Sequence, residues 1–177
     1  MRLIDRIISG SATRAELNGL THLDASGCTA LAGLPELPEL TRLYARGCTA
    51  LAGLPELPEL TRLDARGCAA LAGLPELPKL RVLNARGCTA LAGLPELPKL
   101  RVLNASGCTA LAGLIADDGE HALVAHREWY LAGCRAFESA SDALDHWGPH
   151  RTDRRATLFR AAIISSPRGR GTPGANG

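Results

Sequence analysis

The sequence predicts a repeat solenoid of short parallel strands and extended return arms, closed at its C-terminal end by helices. Three observations predict it. A twelve-residue block, GCTALAGLPELP, runs from Gly27 to Pro38, recurs unchanged from Gly47 and Gly87, and recurs from Gly67 with Ala69 in place of Thr. Leucines and cysteines return at a fixed interval of 20 residues. Aromatics are 3 % of the 177 residues, so a core has to be built from Leu, Ala and Cys. A turn this short cannot bury its apolar face alone, and several must stack to share stability.

Five units start at Leu20, Leu40, Leu60, Leu80 and Leu100, and the fifth breaks off after Leu114, where IADDG replaces PELPK. The solenoid is therefore expected over residues 20–114. From Leu20 through Ala25 the apolar spacing ends in alternation, as in a short strand. Leu31, Leu34, Leu37 and Leu40 then follow at intervals of three, the period of a polyproline II-like arm whose φ is fixed by Pro35 and Pro38. Prolines cannot donate to a ladder, so this arm is not a central strand. Gly27 and Gly33 are placed to ease the bends. Cys28, Cys48, Cys68, Cys88 and Cys108 share one repeat position, which reads as a packing role, unlike the irregular spacing of a disulfide framework. That reading fits a reducing compartment, and without paired CxxC or CxxH spacings no zinc is expected.

The two ends are expected to be caps. Residues 1–19 read as an N-terminal cap or a decayed repeat, with Thr13 to Glu16 matching a capping box. After Leu114, Asp117 or Asp118 is placed to start a helix reaching about Ala140, with Leu123, Tyr130, Cys134 and Phe137 on one face. Ser141 begins a shorter helix carrying Leu144 and Trp147, and Thr152 a third carrying Leu158, Phe159, Ala162 and Ile163. Residues 115–164 thus form the expected helical cap, and the hydrophobe-free stretch 165–177 is expected to be disordered.

The pattern LxxLxAxxCxxLxxLPxLPx over residues 20–114 resembles bacterial leucine-rich repeat proteins with 20-residue, Leu-Pro-containing units, found among secreted effectors that include E3 ubiquitin ligases. Arg outnumbering Lys, with abundant Ala and Gly, agrees with a bacterial source. The chain departs from that family in carrying Cys where Asn is common; Asn would hydrogen-bond the turn backbone, which a thiol does only weakly. The resemblance implies that the third, fifth and seventh positions of each unit face one concave surface. These positions are where the copies differ. The third runs His22, Arg42, Arg62, Val82, Val102; the fifth Asp24, Tyr44, Asp64, Asn84, Asn104; the seventh Ser26, Arg46, Arg66, Arg86, Ser106. The return arm carries Glu36, Glu39, Glu56, Glu59, Glu76 and Glu96, eased by Lys79 and Lys99.

A fixed frame with variable strand positions is what a reading surface needs. Arg42, Tyr44, Arg46, Arg62, Asp64, Arg66, Asn84, Arg86 and Asn104 are accordingly the expected binding residues. The column Arg46–Arg66–Arg86 sets like charges at strand spacing, at a cost of about 0.9 kcal/mol per contact in water. An anionic partner would relieve that cost, so the expected ligand is an acidic protein surface. The expected function is non-catalytic protein binding, and the resemblance implies an effector-like setting. The alternatives are a truncated relative of the ubiquitin-ligase effectors that keeps substrate recognition only, or a structural or vestigial repeat protein.

Other classes are disfavoured. Basic residues number 20 against 18 acidic, so no global pull toward nucleic acid follows, and Arg168 with Arg170 is too small a footprint. No apolar run approaches the ~18 residues of a membrane span. Arg2, Asp5 and Arg6 interrupt any signal-peptide core, so the expected location is cytoplasmic, or a host cytosol reached without a Sec signal. Cys134 could be a nucleophile only if His121, His126, His146 or His150 activated it, and its expected apolar helix face argues for an inert thiol. Those histidines have no metal-ligand spacing on a helix. No enzyme activity, metal or cofactor is expected.

Overall fold

The computed structural model describes residues 3–112 in full and, beyond them, the backbone of residues 114–117, 122–126, 129–132 and 135–137. Five three-residue strands build the main sheet: β1 (His22–Asp24), β2 (Arg42–Tyr44), β3 (Arg62–Asp64), β4 (Val82–Asn84) and β5 (Val102–Asn104). They lie in sequence order, all parallel, and every residue pairs with the one 20 positions on, as in Leu23 with Leu43. The chain is a parallel-strand solenoid with one turn per repeat. The strands are short because the turn residues follow at once, yet the ladder outlasts them. Ala25 N–H donates to Tyr44 O at 2.7 Å, Gly27 N–H to Arg46 O at 2.7 Å, and later turns repeat both bonds.

Inward positions are nearly dry. Leu43, Leu51, Leu57, Leu60 and Leu63 are all 0 % exposed, and Leu71, Leu77, Leu80 and Leu83 repeat this one turn later. Each such leucine contributes about 1.5–3 kcal/mol through burial, which is how a stack with so few aromatics is held together. The arm keeps its period of three but not evenly: Leu31, Leu37 and Leu40 are buried, whereas Leu34 packs against the core only in part. As expected of a proline-bearing segment, the arm forms no strand. It is tied between turns by Ala52 N–H to Ala32 O at 3.3 Å and its equivalents.

Two columns differ from expectation. Of the two repeat glycines, the first bends the chain through positive φ, from Gly27 at 79° to Gly107 at 75°; Gly33, Gly53, Gly73 and Gly93 do not. The thiols also do more than pack. Cys48 Sγ donates to Ala25 O at 3.1 Å, Cys68 to Ala45 O at 2.9 Å, Cys88 to Ala65 O at 3.0 Å and Cys108 to Ala85 O at 3.0 Å. Each thiol reaches the previous turn, so a row of S–H donors runs along the stack. The repeat cysteines form no disulfide with one another, and only Cys28, with no turn before it, is not fully buried. Burial pushes the Cys48 thiol pKa up, that of Cys68 up to about 11 and that of Cys88 up to about 12.

Before the first strand lie α1 (Leu3–Ile8) and α2 (Arg14–Leu17). Ile4 and Ile7, one helical turn apart, are buried in the same core cluster as the repeat leucines, and Leu17 packs against it in part. The Thr13 N–H donates to Glu16 Oε2 at 2.9 Å and the Thr13 hydroxyl to the same oxygen at 2.8 Å. Arg6 of α1 pairs with Glu16, tying the two helices together.

The C-terminal helix expected from Asp117 or Asp118 does not form. Instead β6 (Leu114–Asp117), β7 (Ala122–His126), β8 (Trp129–Ala132) and β9 (Arg135–Phe137) make an antiparallel sheet in sequence order. The helical period rested on four residues, Leu123, Tyr130, Cys134 and Phe137. Against it stand Leu-Val and Trp-Tyr-Leu runs of high strand preference. Only two residues separate β7 from β8, and two separate β8 from β9, so His126 pairs with Trp129 and Ala132 with Arg135 at the least loop cost. Strands β8 and β9 approach β5, so this sheet meets the last turn of the stack. The helices expected at Ser141 and Thr152 and the disordered tail lie outside the described residues. Among the described residues no helix is long and apolar enough to cross a membrane.

Candidate functional site

Pleating turns the third and fifth positions of each unit away from the leucine between them, so both project from one sheet face. Register then stacks each position on its equivalent: Arg42 beside Arg62, and Tyr44 beside Asp64. Arg46 and Arg66 of the seventh position join this face by reaching Asp64, and the expected binding residues have three different occupations.

The first is an ion-pair hub. Asp64 is only 5 % exposed. Its Oδ2 accepts from Arg46 Nε at 2.8 Å, and Arg66 donates to both oxygens, Nε to Oδ1 at 3.0 Å and Nη2 to Oδ2 at 3.1 Å. Arg46 reaches forward one turn to make this bond and also lies over the Tyr44 ring, 5.7 Å from its centroid, within cation–π range. Burial alone would raise the Asp64 pKa, but the bonds and charges of Arg66 and Arg46 outweigh it and hold the carboxyl below its ordinary value. The same bonds raise the Arg66 pKa. The repulsion expected along Arg46–Arg66–Arg86 is therefore largely relieved inside the molecule, because a carboxylate sits between its first two members.

The second occupation is turn closure. Asn84 Oδ1 accepts from the Arg86 N–H at 3.4 Å, and Asn104 Oδ1 accepts from the Ser106 N–H at 3.1 Å and its hydroxyl at 2.9 Å. Asp24 does the same for the Ser26 N–H at 3.0 Å, and these bonds to Ser26 are the main reason its pKa is lowered. These are Asx turns, in which a side-chain oxygen bonds the backbone two residues on and prepares the left-handed glycine that follows. The signal was present in the sequence as Asp or Asn three residues before Gly27, Gly87 and Gly107.

The third occupation is openness. Arg42, Arg62 and Arg86 are exposed, and among the described residues their guanidinium groups have no ion-pair partner. Val82 and Val102 continue the Arg42–Arg62 column as half-buried apolar residues. Ser106 is 1 % exposed although Ser26, its equivalent in the first turn, is exposed, whereas Val102 in the same unit stays half-buried. On the opposite arm Lys79 Nζ bonds Glu59 at 2.6 and 2.7 Å, an exposed pair outside the face. Cys134 and three of the histidines near it lie outside the described residues.

Comparison with protein-family models, with curated proteins and with solved structures finds no match for this chain.

Proposed function

We propose that this chain is a non-catalytic recognition module that presents the arginine-bearing strand face to an acidic protein partner. One observation carries the reading: Arg42 and Arg62 are exposed side by side on one face of a fixed sheet, and they and the exposed Arg86 have no internal counter-ion among the described residues. Guanidinium groups make paired, charge-assisted hydrogen bonds to carboxylates. The stacked frame spares those side chains any part in the fold. The neighbouring hub of Asp64, Arg46 and Arg66 fixes two further guanidinium planes, with Tyr44 beneath Arg46 as an aromatic anchor. A leucine-rich repeat module of effector type, working in the cytosol of its own or a host cell, is the biological setting that the Leu-Pro units support. A non-enzymatic role is supported by the repeat thiols, since Cys48, Cys68 and Cys88 are buried and held protonated.

A purely structural role is the competing reading. It is favoured by one observation, that Asp64, Arg46, Arg66, Asn84 and Asn104 all have occupations within the fold. The test is retention of the full chain on immobilised poly-L-glutamate, set against the Arg42→Glu, Arg62→Glu, Arg86→Glu triple variant. Retention lost in the variant, with unchanged circular dichroism, supports recognition of acids. Equal retention of both proteins, or stronger retention on oligothymidylate than on poly-L-glutamate, overturns it.

A further inference from the structure

The free arginines have a spacing and an order, and both constrain what can lie on them. We infer that the partner presents an acidic α-helix laid along the solenoid axis, with carboxylates over Arg42 and Arg62 and apolar side chains over Val82 and Val102. This rests on the acid-recognising face proposed above and specifies its ligand.

Spacing comes first. Arg42, Arg62, Val82 and Val102 are successive partners in a parallel register, so they follow one another at the inter-strand distance of about 4.8 Å. A partner strand crossing these rungs offers side chains on one face every ~6.8 Å, or two residues. It falls about 2 Å behind at each rung, and by the third rung it is almost a whole rung out of step. A helix offers one turn every 5.4 Å. It drifts only about 0.6 Å per rung, a difference that the long, exposed arginine side chains absorb. Residues i, i+4, i+7 and i+11 of such a helix share one face and reach four successive rungs.

Order comes second. The column changes from two cations to two valines between β3 and β4, because Val82 replaces the arginine of the preceding turns. Asp64 engages both Arg46 and Arg66 and offsets one of their two charges. Among the described residues of the third-position column, the cations without an ion pair are Arg42 and Arg62, followed by the two valines; Arg86 and the exposed second-position Arg81 and Arg101 flank the apolar half. A uniformly acidic ligand would lay carboxylates directly against the Val82 and Val102 side chains and would desolvate them there at a cost. A helix with two acids followed by two apolar residues on one face meets both halves.

The test uses the full chain and two synthetic helix-forming peptides of identical composition, followed by fluorescence anisotropy. One carries Glu at i and i+4 and Leu at i+7 and i+11. The other carries the same residues with the acids on opposite faces. The in-phase peptide is expected to bind at least about ten-fold more tightly, which is about 1.4 kcal/mol. Arg62→Glu should erase that preference and Arg62→Gln should reduce it, both at an exposed residue whose replacement leaves the core alone. Val82→Asp should weaken the in-phase peptide several-fold without affecting its partner peptide. Equal binding of the two peptides overturns the helix geometry and leaves acid recognition standing. Failure of both peptides and of poly-L-glutamate to bind removes acid recognition itself.

Discussion

Leu63 and Arg62 are neighbours in the same three-residue strand, and they obey different rules. The inward column of Leu23, Leu43, Leu63, Leu83 and Leu103 is identical in every turn and at most 4 % exposed. The outward columns beside it change at nearly every turn and range from the buried Asp64 to the exposed Arg42 and Arg62. Inside, each side chain meets the same side chain one turn away, so a change in one turn is felt by two others. Outside, a side chain is free to differ unless it has been recruited into a turn or an ion pair. Uniformity in this molecule marks where stacking dictates identity, and variation marks where it does not.

The comparison can be broken most severely from the inside. Leu63→Ala should lose about 2–5 kcal/mol of stability by removing a fully buried side chain from a central turn. Arg62→Ala, its neighbour, should stay within about 0.5 kcal/mol. Urea unfolding of the two variants measures the contrast, and similar losses would dissolve it.

The thiol row gives the next largest effect, visible in alkali. Burial raises Cys68 from 9.0 to about 11 and Cys88 from 9.0 to about 12, so above pH 9 the unfolded chain releases thiol protons that the folded chain keeps. Stability is then complete below pH 9 and falls as pH climbs through the folded values. The loss is about 1.4 kcal/mol per pH unit for each thiol within its window. Thermal melts from pH 8 to 11 should show this fall, and Cys68→Ala with Cys88→Ala should flatten it.

Asp64 sharpens the outward half of the comparison. Asp64→Asn should cost about 1–3 kcal/mol, below the usual loss for a buried pair because its two arginines are half exposed. Its lowered pKa contributes stability that is present above the ordinary 3.8 and disappears as pH falls below it toward the folded value. Acid melts of the Asn variant should lack that component. A comparable cost is expected for Gly67→Ala, about 1–2 kcal/mol, because Gly67 sits at φ 72° while its added Cβ would find only ordinary contact with Gly47 at 3.8 Å. Smallest of all, Glu59→Gln should change stability by less than about 0.5 kcal/mol, since the Glu59–Lys79 pair is exposed at both ends.

Much of the solenoid was legible because its cause is local and repeated. The Leu-x-x-Leu-x-Ala spacing marked the strands at His22–Asp24 and their equivalents, and Pro35 and Pro38 excluded the return arm from the ladder. The candidate face was legible as columns and illegible as contacts. Asx-turn chemistry could have assigned Asn84 and Asn104 to the fold in advance. No pattern in the sequence foretold that Arg46 would bridge 18 residues to Asp64. The C-terminal sheet is hard to read because Leu123, Tyr130, Cys134 and Phe137 also fit a helical period; the short spacing between Trp129 and the strand before it is the better signal.

By itself, the sequence determined the length of a turn, the inward leucines and the place where the copies are free to differ. It could do so because burial selects side chains by a period that recurs five times and needs no knowledge of partners. Tertiary structure alone decided which arginines stay unpaired, that Asp64 lies buried between two of them, and that the thiols donate to the turn before. Those outcomes depend on how one turn settles on the next, within a few ångströms, and long side chains resolve that choice only once the stack exists.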